Sequence, residues 1–214
     1  MKKEISTLHV VDRYQSFLEQ VLTPMRLRHS LGVMQVMGEL AEVYGLDRDT
    51  ALAAGLLHDA AKDLDEARYM ALVEEAGIEV RCPADADFNH YLHGPIGAYF
   101  VYKELGVTDR LLLDAITTHT YYDGPNFDAP LCWCLRFSDI LEPNRDWRNV
   151  KWLCTAAIRL RDLAFAGRLE EGALLQTGQL VTWFEEVGTP VHPNMVKACR
   201  ELTARLKADR TFFE

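Results

Sequence analysis

Residues 51–61, ALAAGLLHDAA, are apolar throughout except for His58 and Asp59. A stretch this apolar belongs in a core, and a helix buries it while satisfying its own backbone groups. An unpaired carboxylate taken out of water is strongly unfavourable, so Asp59 needs an ion-pair partner or a metal ion. A histidine-aspartate dipeptide by itself is common and decides nothing. Its company narrows the choice: His29 lies upstream, and His93, His119 and Asp139 lie downstream, each on an otherwise apolar helical segment. Four imidazoles and two carboxylates placed in this way are the ingredients of a metal site.

The rest of the composition bounds what such a site serves. The chain has 214 residues, 49% of them hydrophobic, enough for the core of one domain. Its net charge is −9 and no basic block occurs, which argues against sequence-independent binding of nucleic acid. A small anionic substrate stays open, because metal ions supply positive charge locally. Cys132 and Cys134 have the wrong spacing for a zinc knuckle or a redox motif. With Cys82, Cys154 and Cys199 they are expected to be buried thiols of a reducing cytosol. The first residues lead into an amphipathic stretch, so no signal peptide is expected. No apolar run approaches the ~20 residues of a membrane span. The expectation is a soluble cytoplasmic protein with neither a membrane nor a nucleic-acid partner.

Helical periodicity runs through almost every segment, and sustained alternation is absent. An opening helix carries Leu8, Val11, Tyr14 (or Gln15), Leu18 and Val21 on one stripe. Thr23 and Pro24 start a second, over about 25–44, which Gly45 ends. Asp47 or Asp49 caps a third over 50–62, which contains the doublet, and Asp65 opens a fourth that stops at Ala76 and Gly77. Residues 78–91 read as loop. A fifth helix runs from near His93 to Gly106, and a sixth from Thr108 and Asp109 to about His119. Turn formers fill 121–129. A seventh helix spans 131–141 before Glu142, Pro143 and Asn144 terminate it, and further helices cover about 149–166, 169–186 and 193–207. The fold class is all-α with no clear domain boundary.

The six polar positions carry the chemistry. His58 and Asp59 are about 100° apart on a helix and reach one centre set between their directions. Mixed imidazole and carboxylate ligation suits Fe, Mn or Zn, and six ligands exceed what one catalytic zinc requires, which points to two metals. Bland alternatives stand beside this. Any single histidine is more often a satisfied core residue, and Arg26 with Arg28 reads equally as a solvated helix face. Lys62 and Asp63 suit a helix end, and Arg145 with Asp146 suits a local pair in a turn.

In order, the stretches RLRHSLGV (26–33), LLHDAAK (56–62), LHGPIGA (92–98), ITTHT (116–120), SDILEPNRD (138–146) and, more weakly, VHPN (191–194) resemble the HD-domain metal-dependent phosphohydrolases. The two histidines between the doublet and the last aspartate mark the dinuclear subset. The likeness is closer still to the YqeK family of symmetrical bis(5′-nucleosyl)-tetraphosphatases, which split diadenosine tetraphosphate (Ap4A). The resemblance implies an HD-domain helical bundle with a core at about 24–146. The N-terminal helix 1–23 and C-terminal helices 147–214 would pack on it, the opening helix serving the domain or a homodimer contact. It places His29, His58, Asp59 and Asp139 on one metal, and has Asp59 bridge to a second held by His93 and His119. Two iron ions are the first expectation, with Mn or Zn as alternatives. Lys62, Arg26 and Arg145 would bind phosphates, Thr120 would offer a hydroxyl at the mouth, and His192 would help enclose the nucleoside. Asp63 is a candidate proton carrier beside Asp59 and Lys62. The implied reaction is in-line attack on the polyphosphate by a hydroxide activated by two metals, giving two ADP.

The loop after His119 is longer than is usual in the family. Tyr121, Tyr122, Asp123 and Asp128 there could stack on a base or narrow the mouth. The alternatives are a dinuclear phosphohydrolase for another nucleotide or phosphoester, and a nucleotide-binding sensor module. A purely structural helical protein would require all six polar positions to be coincidental.

Overall fold

Capping residues set most of the helix boundaries. The computed structural model describes residues 2–145 and 151–211, with side chains for 10–145 and 155–208, and all its regular elements are helical. Helix α1 (Lys2–Val21) leads to α2 (Pro24–Tyr44), where the Thr23 side chain accepts from Arg26 N and Pro24 occupies the first turn. That turn has backbone N–H groups without helical partners, so a capping oxygen and a proline both suit it. Asp47 and Asp65 cap α3 (Arg48–Leu57) and α4 (Glu66–Ala76) in the same way. A π-helical turn (Phe88–Leu92), capped by Asp87, runs straight into α5 (His93–Leu105), and Asp109 caps α6 (Arg110–Thr118). The chain continues through α7 (Pro130–Leu141), α8 (Lys151–Phe165), α9 (Leu169–Val187) and α10 (Pro193–Thr211).

Two boundaries depart from the periodicity. The third helix stops at Leu57, not 62. The Nδ1 of His58 donates to Gly55 O at 2.9 Å, taking the carbonyl that would accept the next helical N–H. The chain then advances in shorter turns, with Ala60 N to Leu57 O at 3.1 Å and Lys62 N to Asp59 O at 2.9 Å. The doublet therefore lies at a helix end rather than inside one. The second departure is the π turn at 88–92, within what reads as loop.

Packing brings the ligand-bearing segments together. α2 lies against α3 and α7, α3 against α6 and α7, and α6 against α5 and α7. Met37, Leu40, Leu52, Leu56, Leu57, Ile96, Phe100, Ile116 and Phe137 are essentially inaccessible to water between them. Gly55 permits the tight α2–α3 contact, since a Cβ there would lie 2.6 Å from Met34 Cα. α8 and α9 pack on α7 and on each other, α10 on α9, and α1 on α2 and α3. Among the described side chains of α1, Val10, Tyr14 and Leu18 are buried, whereas Val11 and Val21 are only partly covered; the Leu8 side chain lies outside the described residues. Cys132 and Cys134 are buried, but Cys82 and Cys199 are half-buried; all four are free thiols, and the Cys154 side chain lies outside the described residues. Asp146 also lies outside them. No helix among the described residues is long and apolar enough to cross a membrane.

Candidate metal centre and its cavity

Each candidate ligand histidine is oriented by what its Nδ1 touches. In His58 and His119 the ring turns back on its own helix end, onto Gly55 O at 2.9 Å and Ile116 O at 2.6 Å. His93, at the junction of the π turn and α5, meets Phe88 O at 2.8 Å. His29, inside α2, has no free carbonyl within reach and meets the Glu142 carboxylate at 3.2 Å instead. Carbonyls and carboxylates only accept, so in His29, His58 and His119 the Nδ1 carries the hydrogen and the neutral ring presents a bare Nε2 lone pair; at His93 the Lys62 ammonium also lies 2.9 Å from Nδ1.

Those four Nε2 atoms converge on the carboxylates. Nε2 of His29 lies 3.3 Å from Nε2 of His58, 3.2 Å from Asp139 Oδ1 and 3.8 Å from Asp59 Oδ2. Nε2 of His58 is 3.7 Å from the same Asp59 oxygen. The other oxygen, Asp59 Oδ1, faces His93 Nε2 at 3.5 Å and His119 Nε2 at 3.7 Å. Ligands held at about 2.0–2.2 Å from one ion stand roughly 3–4 Å from one another, so the spacings fit ligation. Lone pairs packed this closely also repel unless a cation lies among them. The donor set therefore fits divalent metal. His29, His58, Asp59 and Asp139 would hold one ion, and Asp59, His93 and His119 another.

Electrostatics divide the rings. Burial holds His58 down at about 4 and pushes His93 well below the usual histidine value, the latter helped by the Lys62 ammonium, so both are neutral at pH 7. Burial also pulls His29 down, but its hydrogen bond to Asp139 and the charges of Asp139 and Asp59 outweigh it and raise the ring. Burial pushes both carboxylates up, yet His58, His119, His93 and Lys62 around Asp59, and Arg145 followed by His29 and His58 around Asp139, keep them well below the usual carboxylate range.

A family model described as the HD domain matches residues 26–148, which contain all six candidate ligands. The chain belongs to the HD domain family. Its relatives include a symmetrical bis(5′-nucleosyl)-tetraphosphatase of Halalkalibacterium halodurans, 30% identical over 87% of this chain and 93% of the relative. A protein of the same name from Bacillus subtilis is 36% identical over 62% of this chain and 69% of the relative. Among solved structures, a predicted HD superfamily hydrolase involved in NAD metabolism from Clostridium acetobutylicum superimposes with a TM-score of 0.76. It has 27% sequence identity, and the match covers 92% of this chain and 96% of the other.

This HD centre opens into a cavity of about 370 Å³. Arg26, Lys62 and Arg145 stand on its wall beside the ligands. Arg26 Nη1 donates to Asp59 Oδ2 at 2.8 Å, and Arg145 Nη2 donates to Asp139 Oδ1 at 2.5 Å. Lys62 Nζ donates to Asn89 O at 2.5 Å and lies 2.9 Å from His93 Nδ1 and 3.3 Å from its Nε2. α8 and α9 supply a mainly apolar part of the wall, with Leu160 from α8 and Leu175, Leu180, Trp183 and Phe184 from α9 beside Gln176 and Gln179.

Three expected site residues are placed differently. Asp63 does not line the cavity: its Oδ2 accepts from Thr23 N and Thr23 Oγ1, both at 2.8 Å, bracing the start of α2, and its Oδ1 lies 3.9 Å from Arg26 Nε. Thr120 borders the cavity, but its hydroxyl donates to Tyr91 O at 2.7 Å, so its hydrogen is committed to the π turn. His192 is buried behind the wall. Its Nε2 pairs with Asp85 Oδ1 at 2.9 Å and its Nδ1 accepts from Asn194 N at 3.1 Å, leaving neither nitrogen for a nucleoside. The tyrosines of the 121–129 loop are struts: Tyr121 bonds Thr177 at 3.1 Å, and Tyr122 donates to Glu79 O at 2.6 Å. Asp123 pairs with Arg81 at 3.0 Å, and Asp128 with Arg205 at 3.4 Å.

Sequence reasoning missed Glu142, read only as a helix terminator, and Arg136. Arg136 is fully buried, donates to Thr118 O and Phe127 O, and lies over the rings of Phe127 and Trp133 at 4.1 and 4.2 Å. It thereby ties the end of α6, next to His119, to the following loop. A charged residue in the otherwise apolar stretch 131–137 was the available signal.

Proposed function

We propose that this HD protein hydrolyses dinucleoside tetraphosphates, Ap4A foremost, symmetrically to two nucleoside diphosphates, using two divalent ions with iron the first choice. The observation that carries the two-ion reading is the division of Asp59: one oxygen faces His29 and His58, the other His93 and His119. The names of the relatives support the substrate. When bound, such ions polarise phosphoryl oxygens and lower the pKa of water toward neutrality.

The chain's own residues do the positioning. Arg26, Lys62 and Arg145 surround the donor set with three cations, matching the charge that accumulates on phosphoryl oxygens during in-line displacement. Arg26 and Arg145 offer forked donors suited to phosphate, and Lys62 a point charge. The apolar wall of α8 and α9 excludes water and offers Trp183 and Phe184 to a base. Symmetrical cleavage needs attack at an inner phosphate, so a diphosphate held by the cations while its nucleoside lies on that wall sets the register.

The test is purified protein supplied with Fe²⁺ or Mn²⁺ and Ap4A, its products resolved by chromatography. ADP as the only nucleotide product is expected, and AMP with ATP would overturn symmetrical cleavage. No turnover of Ap4A, with hydrolysis of another nucleotide in a panel, would keep the hydrolase and replace the substrate.

A further inference from the structure

We infer that the two halves of this centre bind their ions unequally, and that Glu142, as a positioning residue holding His29, sets the difference. The inference rests on the two-ion reading above. The half with His29, His58, Asp59 and Asp139 offers four protein donors, and the half with His93 and His119 offers three, one of them the shared Asp59. Fewer protein donors leave more of the coordination shell to water or substrate and weaken binding.

Orientation adds to the count. Of the four rings, three are held by neutral backbone carbonyls and only His29 by a carboxylate. A carboxylate behind an imidazole makes it a more basic ligand and fixes its tautomer. Glu142 is built in for this. It is 3% exposed, its Oε1 faces His29, and its Oε2 accepts from Asn144 N at 2.6 Å. The Asn144 side chain in turn donates to Arg28 O at 3.3 Å, tying the segment after α7 to α2. α2 makes room at Gly32, where a Cβ would stand 2.5 Å from Glu142 Oε2. Glu142 also adds negative charge beside the four-donor half. Arg26 and Arg145, both partly exposed, offset part of that charge, but they alter neither the donor count nor the support behind His29. In the three-donor half, the Lys62 ammonium lies against His93 and opposes a second cation.

The test titrates Mn²⁺ into metal-stripped protein and follows free Mn²⁺ by electron paramagnetic resonance, with far-ultraviolet circular dichroism checking that each variant is folded. Two classes of site differing at least tenfold in affinity are expected in the wild type. Glu142→Gln should weaken the tight class about 10–100-fold, the scale for losing a partner behind a ligand histidine, and leave the weak class in place. His119→Ala should abolish the weak class and keep the tight one. Should Glu142→Gln not fold, Gly32→Ala, which crowds the same carboxylate, reports on Glu142 instead. Two equal classes, loss of the tight class in His119→Ala, or an unchanged tight class in the folded Glu142 or Gly32 variant would overturn the inference. Binding of at most one Mn²⁺ by the wild type would overturn the two-ion reading itself.

Discussion

His29 is the residue through which pH acts on this centre. Its ring is raised above the ordinary 6.5 by Asp139 and Asp59, while burial keeps His58 down at about 4. Below its folded pKa His29 carries a proton on the nitrogen a metal needs, and above it the lone pair is free. Affinity for the four-donor half should therefore fall about tenfold per pH unit below the raised value and level off above it, with one proton released per ion bound there. Isothermal titration with Mn²⁺ in buffers of different ionisation enthalpy measures both. A flat affinity between pH 6 and 8 would contradict the assignment. His58 works in another direction. An unfolded chain protonates it near 6.5 and the folded chain only near 4, so its contribution to stability is lost as pH falls through that window. The sequence pointed to the six candidate ligands because each is a polar residue in or beside an apolar helical segment. It did not reveal Glu142, because a glutamate before proline at a helix end is as well explained by exposure to solvent.

At the scale of elements, the helix ends were legible wherever a side chain announces them. Thr23 with Pro24, Asp65 with Gly77, Gly106 and Asp109 all terminate helices by local chemistry that depends on nothing distant. The end of α3 was not legible, because a histidine folding back onto a carbonyl looks in sequence like any helical residue. The same ambiguity misplaces Asp63, four residues from Asp59 and thus near the centre by chain distance. In the fold it braces Thr23 from outside the cavity. Asp63→Ala should cost about 1 kcal/mol of stability, the usual scale for a lost cap, read from urea denaturation. Its kcat should stay within about twofold of the wild type, because proton transfer by a positioned side chain is typically worth 10²–10⁴. A fall in kcat of that size at unchanged metal content would restore Asp63 as proton carrier.

The molecule as a whole divides its labour across the limit of the family match. Residues 26–148 carry all six candidate metal ligands and the cations Arg26, Lys62 and Arg145 beside them, while α8 and α9, beyond that stretch, supply much of the apolar lining. That wall could not be read from the chain. Leu160, Leu175, Leu180 and Trp183 look like an ordinary core stripe, and only the packing of α8 and α9 on α7 shows that they border open space beside Asp139. The division separates two functions that a single substitution can tell apart. Trp183 touches no ligand; its ring lies against His90 and Phe184, with centroids at 6.3 and 5.1 Å. Base–aromatic stacking is worth about 1–3 kcal/mol. Trp183→Ala should therefore raise KM for Ap4A at least about fivefold, with bound metal unchanged and kcat altered much less, because the lost contact is made equally before and during the reaction. Steady-state kinetics paired with metal analysis separate the outcomes. A fall in kcat with KM unchanged would mean that this wall holds the phosphates rather than the nucleoside, and the assigned direction of the substrate across the cavity would have to be reversed.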